Sequence, residues 1–562
     1  MSPNPSQEDL TAYEVRSWST NELEVHSESV TIEEAIETVG IGRTQWILLV
    51  LCGLTFMSDA AEVTFLSFVT EQLKCDWGLT SSQETSIAQA VFVGMILGAP
   101  VWGWMADKVG RRMSFLLSSV VITGFGFGTC LCQNVPQLIG VRGVVGFGVA
   151  GLPVGFDILA EALPTEGRGK FLLYIEYFWT LGSLFVNACA WIFLESYGWQ
   201  IFTALAAVPT LLSSVAGLFL LPESPRWLIE EGRDKEALTI VNQWATRNGS
   251  PHRFTSLIEP HREHHKVGGV KELCSSRGRL RRTTILMLMV WFGFGLSYYG
   301  IVSLLPRIFQ AEASATETTT QMVVASTTAA ALVEEPSLAA WPTIAPLPTM
   351  APLPAFPTVA PLMALPTDAP AMATARRLEH AASCKASFDF KDISIASASE
   401  ILGVLFAVAI IDRWGRCKTQ GFFYALGAIT AFILSFRSID FTVLTVVSSV
   451  ARLSQMAASC ATWVHTPELF PTAVRAEAHA LMNVMSKVGA FLSQYLVSDS
   501  FSQIACGLMM AAISLSAGIS AMMLQETAGV DLADMSDVSS EEGDSDLGGD
   551  SSDEERESGR VE

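Results

Sequence analysis

Residues 103–112 read GWMADKVGRR and place four charged side chains between two apolar segments. Neither the segment before them (VFVGMILGAPVWGWMA, 91–106) nor the segment after them (MSFLLSSVVITGFGFG, 113–128) contains a charged residue. A second copy of the pattern, DRWGRC, occurs at 412–417 in the same setting. Short basic loops between apolar segments are typical of a chain that crosses a membrane repeatedly.

The composition of the whole chain also indicates a membrane protein. Of the 562 residues, 50% are hydrophobic and 16% are charged, whereas a soluble protein carries about 25% charged residues. The net charge of −21 is concentrated in the termini, because residues 531–562 hold 13 acidic residues against two arginines and residues 1–45 hold nine against two. No basic surface of the kind that binds nucleic acid is left, so we expect no nucleic-acid partner.

Twelve apolar segments have the length that a transmembrane helix needs, which is about 20 residues. They lie at roughly 46–70, 84–106, 113–132, 137–160, 171–193, 200–221, 284–306, 393–411, 419–436, 440–464, 476–497 and 502–524. Because a helix satisfies its own backbone hydrogen bonds in lipid, the sequence predicts an all-α membrane protein with twelve transmembrane helices.

The basic residues of the short loops predict how these helices are oriented. Lysine and arginine concentrate in the loops after the second, fourth, eighth and tenth segments, whereas the intervening short loops carry only Lys74 and Arg437. Since basic loops stay in the cytosol, an even number of helices places both termini there. Cys75 and Cys384 then fall outside, where they could form a disulfide bond.

The predicted organisation has two helical halves and three cytosolic regions, and the C-terminal half contains one long outer loop. In chain order these are an acidic cytosolic region (1–45), an N-terminal half (46–221), a cytosolic linker (222–283), a C-terminal half (284–524) with a Pro/Ala/Thr-rich outer loop (310–392), and an acidic cytosolic tail (525–562). Frequent proline predicts a polyproline-like, solvated outer loop. We expect the tail to be disordered; its serines followed by acidic residues resemble kinase sites, and a plain solubilising tail is the alternative.

Three charged signatures occur once in each half. Asp107 to Arg111 matches Asp412 to Arg416, EALPTEGR (161–168) matches ELFPTAVR (468–475), and LPESP (221–225) matches LQETA (524–528). An internal repeat of six helices is how a large class of transporters is built. The sequence therefore predicts two pseudo-symmetric six-helix bundles.

These motifs resemble those of the major facilitator superfamily, whose signature Gly-x-x-x-Asp-x-x-Gly-Arg-Arg is matched in full by residues 103–112. PESPRWL (222–228) and PELFPTAVR (467–475) are similar to the branch with sugar porters, organic ion transporters and synaptic-vesicle-2-related proteins. The stretches 40–62 and 291–306 most resemble the last group, including plant nicotinate-type carriers. Sugar porters have a Gln-rich signature in helix 7, where this chain has SYYG, which argues against a sugar.

Charged residues at the cytosolic ends of the helices are predicted to form a gate. The resemblance implies that such clusters hold the two halves together while the site faces outward; the alternative is that basic loops only fix the orientation. The predicted gate residues are Asp107, Arg111, Arg112, Glu161, Arg168, Glu223, Arg226, Asp412, Arg416, Glu468 and Arg475.

Charged residues inside the spans predict the substrate and proton site, because an ionisable side chain in the membrane normally faces a cavity. Asp59 and Glu62 lie three residues apart and so on one face of helix 1, where they could carry a proton, hold a cation or be satisfied structurally. Arg142 and Arg452 occupy corresponding parts of helices 4 and 10. They could capture an anionic group or neutralise the two acids, and Arg142 could instead snorkel to the outer surface.

Four further residues complete the predicted substrate site. Counted from the basic loop before its helix, Glu176 lies about 12 Å and Lys487 about 18 Å into the membrane. Lys487 corresponds to Thr180 of the other half, so the halves differ there. Tyr298 and Tyr299 lie in the Gly-rich helix 7, where they either pack or stack on a flat ligand.

The sequence thus predicts a secondary active transporter of a small organic ion, coupled to protons and working by alternating access. The substrate is an organic acid of the nicotinate type, which we favour, or an organic cation. A carrier-fold membrane protein with a sensing or vesicle-interaction role is the alternative. We expect a monomer in the lipid bilayer, with no catalytic activity, cofactor or metal, and a kinase as the partner of the acidic tail. The sequence leaves the particular membrane open.

Overall fold

The structure is a computed structural model. It describes residues 25–26, 30–165, 167–258, 273, 279–331, 388–436, 440–470, 474–498 and 501–528. Helices dominate this part of the chain, and its four short strands lie outside the bundle. The Pro-rich centre of the predicted outer loop and the acidic tail beyond residue 528 lie outside the described residues, as does Cys384.

The N-terminal half contains six helical segments, several of them broken. The helices are α2 (Arg43–Trp77), α3 (Ser81–Lys108), α4 (Arg111–Thr129), α5 (Val135–Val149), α6 (Pro153–Glu161), α7 (Arg168–Leu173), α8 (Ile175–Cys189), α9 (Glu195–Tyr197), α10 (Trp199–Ala206) and α11 (Val208–Leu220). Proline begins α6 because it has no N–H to donate to the preceding turn. A π-helical turn, Ala190–Leu194, joins α8 to α9.

The C-terminal half repeats this arrangement with longer helices. They are α14 (Arg279–Ala331), α15 (Phe390–Trp414), α16 (Arg416–Ile433), α17 (Phe441–Leu469), α18 (Arg475–Val497) and α19 (Gln503–Met522). Helix α14 continues well beyond the boundary predicted at residue 306, because residues 310–331 contain neither proline nor glycine.

Nine helical segments among the described residues are long and apolar enough to cross a membrane. Three further helices, α4, α16 and α18, have the length, at 19, 18 and 23 residues, but lack a sufficiently apolar window. Two of these helices, α4 and α16, begin at arginines of the repeated motif. The chain is therefore a multi-pass membrane protein, and the count of twelve spans stays a prediction.

Corresponding glycines set the packing within each half. A Cβ on Gly182 of α8 would lie 2.2 Å from the Met57 carbonyl oxygen of α2, and a Cβ on Gly489 of α18 would lie 2.4 Å from the Phe292 carbonyl oxygen of α14. Small residues let helix backbones approach closely in membranes. These two contacts bring α2 against α8 and α14 against α18, and the four helices surround the space between the halves.

A small layer packs beneath the N-terminal half, on the side that was predicted to be cytosolic. It consists of β1 (Val25–His26), β2 (Val30–Thr31), α1 (Ile32–Val39), α12 (Pro225–Glu230), α13 (Asp234–Asn248), β3 (Arg253–Phe254) and β4 (Leu257–Ile258). β1 pairs in parallel with β3, and β2 with β4. The Asn248 side chain accepts a hydrogen bond of 2.9 Å from the Thr44 backbone N–H, so the linker caps the first turn of α2.

Candidate functional site

A cavity lies between the two halves and is lined by side chains from both. Six of its lining residues are aromatic: Phe56, Trp179, Phe294, Tyr298, Tyr299 and Trp463. Three charged residues, Asp59, Glu176 and Lys487, also line it. Five of the eight predicted substrate-site residues therefore meet at one cavity, whereas Glu62, Arg142 and Arg452 lie behind its wall.

Lys487 of α18 is held by one residue of each half. Its Nζ donates a hydrogen bond of 2.7 Å to the Tyr299 hydroxyl and lies 3.7 Å from a carboxylate oxygen of Asp59. The same Nζ lies 5.0 Å from the centre of the Tyr299 ring, within the range of a cation–π contact. The single basic side chain lining the cavity, among the described residues, already has an acidic partner.

Glu176 of α8 faces the cavity without such a partner. Its side chain is 5% exposed, and within the part of the chain that the structure describes no hydrogen-bond donor or basic group contacts its carboxyl. The other two charged residues of the cavity, Asp59 and Lys487, pair with each other. The cavity therefore contains one acidic group that is available to a ligand.

Glu62 and Arg142 form a buried ion pair beside the cavity. Arg142 is 1% exposed and Glu62 is 6% exposed, and an Nη atom of Arg142 contacts a carboxylate oxygen of Glu62. The guanidinium also lies 5.0 Å from the centre of the Phe65 ring. Arg142 thus points inward and does not snorkel to the outer surface, and of the two helix 1 acids only Asp59 lines the cavity.

Arg452 pairs with Glu400, a residue that the sequence analysis missed. Arg452 Nη2 lies 2.9 Å from Glu400 Oε1, and the same carboxylate accepts a hydrogen bond of 2.7 Å from Tyr298. Tyr298 in turn accepts a hydrogen bond of 2.5 Å from the Trp179 indole N–H. This chain of contacts links the buried pair to the cavity wall. Glu400 is the only charge in the apolar segment 393–411, a signal that could have identified it.

The repeated charged motifs form one cluster in each half, at the end of the helices that was predicted to be cytosolic. In the N-terminal half Arg111 contacts Asp107 at 2.5 Å and Glu161 at 3.2 Å. In the C-terminal half Arg416 contacts Asp412 at 3.1 Å and Glu468 at 2.9 Å. In each cluster the arginine pairs with acids of its own half.

Glu223 and Glu526 occupy equivalent positions and cap equivalent helices. Glu223 accepts a hydrogen bond of 2.9 Å from the Arg112 backbone N–H at the start of α4. Glu526 accepts one of 2.6 Å from the Arg416 backbone N–H and one of 3.1 Å from that of Cys417, at the start of α16. Burial of Glu526 raises its pKa, but these backbone donors outweigh burial and leave the pKa below its ordinary value.

The capping acids explain the glycine of the repeated motif. Gly110 has a φ of 111° and Gly415 a φ of 88°, and residues with a side chain rarely adopt such angles. A Cβ at Gly110 would lie 2.4 Å from Glu223 Oε2, and one at Gly415 would lie 2.3 Å from Glu526 Oε2.

Three other predicted gate residues make contacts within their own half: Arg112 donates to the carbonyl oxygens of Leu221 (2.7 Å) and Leu218 (2.9 Å), Arg168 to that of Leu163 (3.0 Å), and Arg475 to that of Phe470 (3.3 Å). Arg226 lies in the small layer beneath the N-terminal half, 3.8 Å from Glu33 of the same layer. At this end of the helices, an ion pair of the described residues joins the two halves, with Lys170 3.0 Å from Asp412. Lys170 was not among the predicted gate residues.

A second set of ion pairs joins the halves at the opposite end of the helices. Arg307 of α14 lies 3.2 Å from Glu71 of α2 and also contacts Glu84 of α3. Lys74 lies 3.8 Å from Glu84 as well. Sequence reasoning did not identify this cluster, because Arg307 lies one residue beyond the predicted end of its span at residue 306.

No group of three metal-ligating side chains occurs among the described residues. Cys75 is disulfide-bonded, and seven other described cysteines are free thiols.

Two related helical halves around a charged, aromatic cavity define a membrane carrier. The model of the sugar (and other) transporter family matches residues 46–334. The chain belongs to this family, which is part of the major facilitator superfamily, and the predicted family membership is confirmed.

Similar proteins include transporters that are named for different substrates. Synaptic vesicle 2-related protein of Xenopus laevis is 30% identical over 495 residues, which cover 88% of this chain and 80% of that protein. Organic cation/carnitine transporter 7 of Arabidopsis thaliana is 27% identical over 552 residues, which cover 91% and 97%. The inward-open xylose transporter XylE of E. coli superimposes with a TM-score of 0.59 at 16% identity, covering 87% of this chain and 98% of that chain, and so confirms the fold.

Proposed function

We propose that this chain is a secondary active transporter that moves a small organic ion by alternating access, coupled to protons. The cavity between the halves carries the proposal, because side chains of both halves line it. Placing charged side chains inside a membrane costs several kcal/mol each, and three of them line this cavity.

The two ends of the interface supply contacts that can open in turn. Lys170 and Asp412 join the halves at the cytosolic end, and Arg307 joins them to Glu71 and Glu84 at the outer end. An exposed ion pair contributes at most about 1 kcal/mol, so the cytosolic pair opens easily. The outer acids are buried, so their pairing with Arg307 favours closure on that side more strongly.

Buried carboxyl groups support coupling to protons. Asp59 and Glu176 line the cavity, while Glu62 and Glu400 stand behind it, each paired with an arginine. A proton that neutralises Asp59 weakens its attraction for Lys487. That attraction crosses from one half to the other, so protonation at this position would loosen the contact between the halves.

An organic ion suits this cavity better than a sugar does. Its wall combines charges of both signs with six aromatic rings, and helix α14 carries Ser297, Tyr298 and Tyr299 where sugar porters have glutamines. One relative is named an organic cation/carnitine transporter, and this name is consistent with the proposal that the substrate is an organic ion.

Uptake into liposomes tests the proposal. Purified protein is reconstituted, a pH gradient is imposed, and uptake of nicotinate, tetraethylammonium, carnitine and xylose is measured. We expect gradient-driven uptake of at least one organic ion and little of xylose. Asp59→Asn should reduce that uptake at least about tenfold, because it removes an acid that lines the site.

The matched control is Asp234→Asn, which makes the same chemical change at an exposed position of the linker. If no member of the panel moves, the transport proposal is wrong and a sensing or interaction role becomes the better account. If uptake occurs but Asp59→Asn resembles the control, the coupling role of Asp59 is wrong.

A further inference from the structure

We propose that Glu176 is the position at which an organic cation and a proton replace each other, so that the chain exchanges organic cations for protons. This inference rests on the proposed transport function and specifies its substrate class and its coupling. It runs against the organic acid that the sequence alone favoured.

The charge balance of the cavity favours a cation. Lys487, the basic side chain that lines it among the described residues, is engaged by Asp59 at 3.7 Å and by the Tyr299 hydroxyl at 2.7 Å. An anion would have to displace Asp59 from the lysine. A cation meets Glu176 directly, since that carboxyl has no partner within the described residues.

The uncharged wall of the cavity also suits a cation. Trp179 lies one turn beyond Glu176 on α8, and both line the cavity with Tyr298 and Trp463. Aromatic faces attract ammonium groups, and the attraction is larger in a desolvated site than at an exposed one. A quaternary ammonium needs no hydrogen-bond acceptor, so one carboxylate and several rings are sufficient to bind it.

The surroundings of Glu176 also explain why a proton occupies it when no cation is bound. An unpaired carboxylate that is removed from water loses its hydration without compensation. The titratable side chains that line the cavity with Glu176 are Asp59 of α2, Tyr298 and Tyr299 of α14 and Lys487 of α18. Lys487 is engaged by Asp59 and Tyr299, and Glu400, behind the wall, is paired with Arg452, so no basic side chain among the described residues pairs with Glu176.

The exchange step balances in charge. The Glu176 carboxylic acid loses one proton to water, and the resulting carboxylate forms an ion pair with the incoming monovalent cation. One positive charge leaves as another enters, so the net charge of the cavity is unchanged. Release of the cation on the other side of the membrane allows Glu176 to take up a proton there.

Proton release on ligand binding tests this inference without requiring transport. Tetraethylammonium and 1-methyl-4-phenylpyridinium are titrated into purified full-length protein in weakly buffered detergent that contains a pH indicator, and binding is followed by calorimetry. We expect about one proton released per cation bound. Glu176→Gln should release none and should bind the cations roughly 100-fold more weakly, because the buried charge partner is lost.

Two control variants test whether the effect of Glu176→Gln is specific to the loss of this carboxyl group. Glu176→Asp keeps the carboxyl group and should still release a proton, and Glu231→Gln changes an exposed linker acid and should behave as the unmodified protein. The inference is overturned if neither cation binds, if a cation binds without proton release, or if Glu176→Gln releases protons normally. Uptake of nicotinate but of neither cation in liposomes would also overturn it while leaving the transport proposal intact.

Discussion

At the scale of single residues, the buried charges of this protein differ in whether they have partners. Glu62 is paired with Arg142, Glu400 with Arg452, and Asp59 with Lys487. Removing one member of a buried pair leaves an uncompensated charge, which is more destabilising than replacing both members. Paired and unpaired acids should therefore respond differently to substitution, and this difference can be measured.

Arg142→Met should destabilise the protein by about 3–5 kcal/mol, because it leaves Glu62 buried without its partner. The double variant Glu62→Gln/Arg142→Met should recover much of that loss. The measurement is thermal unfolding in detergent. Arg233→Gln is the control, since Arg233 forms an exposed pair with Glu236 at 2.6 Å and should cost under about 1 kcal/mol. Equal effects of Arg142→Met and Arg233→Gln would contradict the account.

The glycines of the repeated motif should differ in their tolerance of a methyl group. Gly110→Ala should cost about 1–3 kcal/mol, because its φ of 111° is strained for alanine and the new Cβ meets Glu223. Gly103→Ala, in the same motif, should be neutral or stabilise by up to about 1 kcal/mol, because no atom lies within 4 Å of the added Cβ. Thermal unfolding of both variants checks this, and equal losses would argue against it.

At the scale of helices, the repeat in the sequence corresponds to a repeated set of contacts. Each half has an Asp–Arg–Glu cluster and an acid that caps the helix after the motif. The repeated spacing predicted that corresponding charges cluster at one end of each half, and the structure pairs Arg111 with Glu161 and Arg416 with Glu468. Whether the clusters act as a gate stays a prediction.

Other features could not be predicted from sequence, for physical reasons. The contact of Asp59 with Lys487 joins residues of different halves, and its existence depends on how those halves pack. The same holds for Arg307 with Glu71 and Glu84. The charge of Glu400 was visible inside an apolar span, but its partners Arg452 and Tyr298 lie on other helices.

The packing of α8 on α2 and of α18 on α14 should depend on two glycines. Gly182→Ala and Gly489→Ala should each destabilise by about 1–3 kcal/mol through overpacking, because the added Cβ would lie 2.2 Å and 2.4 Å from a carbonyl oxygen of the facing helix. The folded yield and unfolding temperature in detergent measure this. Gly124→Ala is the control, since its Cβ would meet nothing within 4 Å; a loss as large as in the other two would contradict the packing account.

The cap at the start of α16 should make part of the stability dependent on pH. Because the backbone donors hold the pKa of Glu526 below its ordinary value despite its burial, its contribution is present above the pKa of the unfolded chain, about 4.3. It is lost as pH falls through the lower, folded pKa. Glu526→Gln should therefore lower the unfolding temperature at pH 7 and have less effect near pH 3. A difference that is constant over this range would count against the cap.

At the scale of the whole molecule, the cavity lies between two sets of contacts that join the halves. One set is Lys170 with Asp412 at 3.0 Å, at the end predicted to be cytosolic, and the other is Arg307 with Glu71 and Glu84 at the opposite end. Alternating access requires each set to separate while the other holds. A covalent bond that replaces either contact should therefore stop transport, whatever the substrate is.

Reversible cross-linking is the most direct test of this central claim. Lys170→Cys/Asp412→Cys and Glu71→Cys/Arg307→Cys are each cross-linked in liposomes with a bis-methanethiosulfonate reagent that spans the length of the replaced side chains, and uptake is compared before cross-linking, after it and after reduction. The control is Thr123→Cys/Ser214→Cys, whose parent side chains lie 3.3 Å apart within the N-terminal half. The account predicts that cross-linking abolishes uptake in both cross-half variants, that reduction restores it, and that the control keeps its uptake throughout. Undiminished uptake by a fully cross-linked cross-half variant would contradict it.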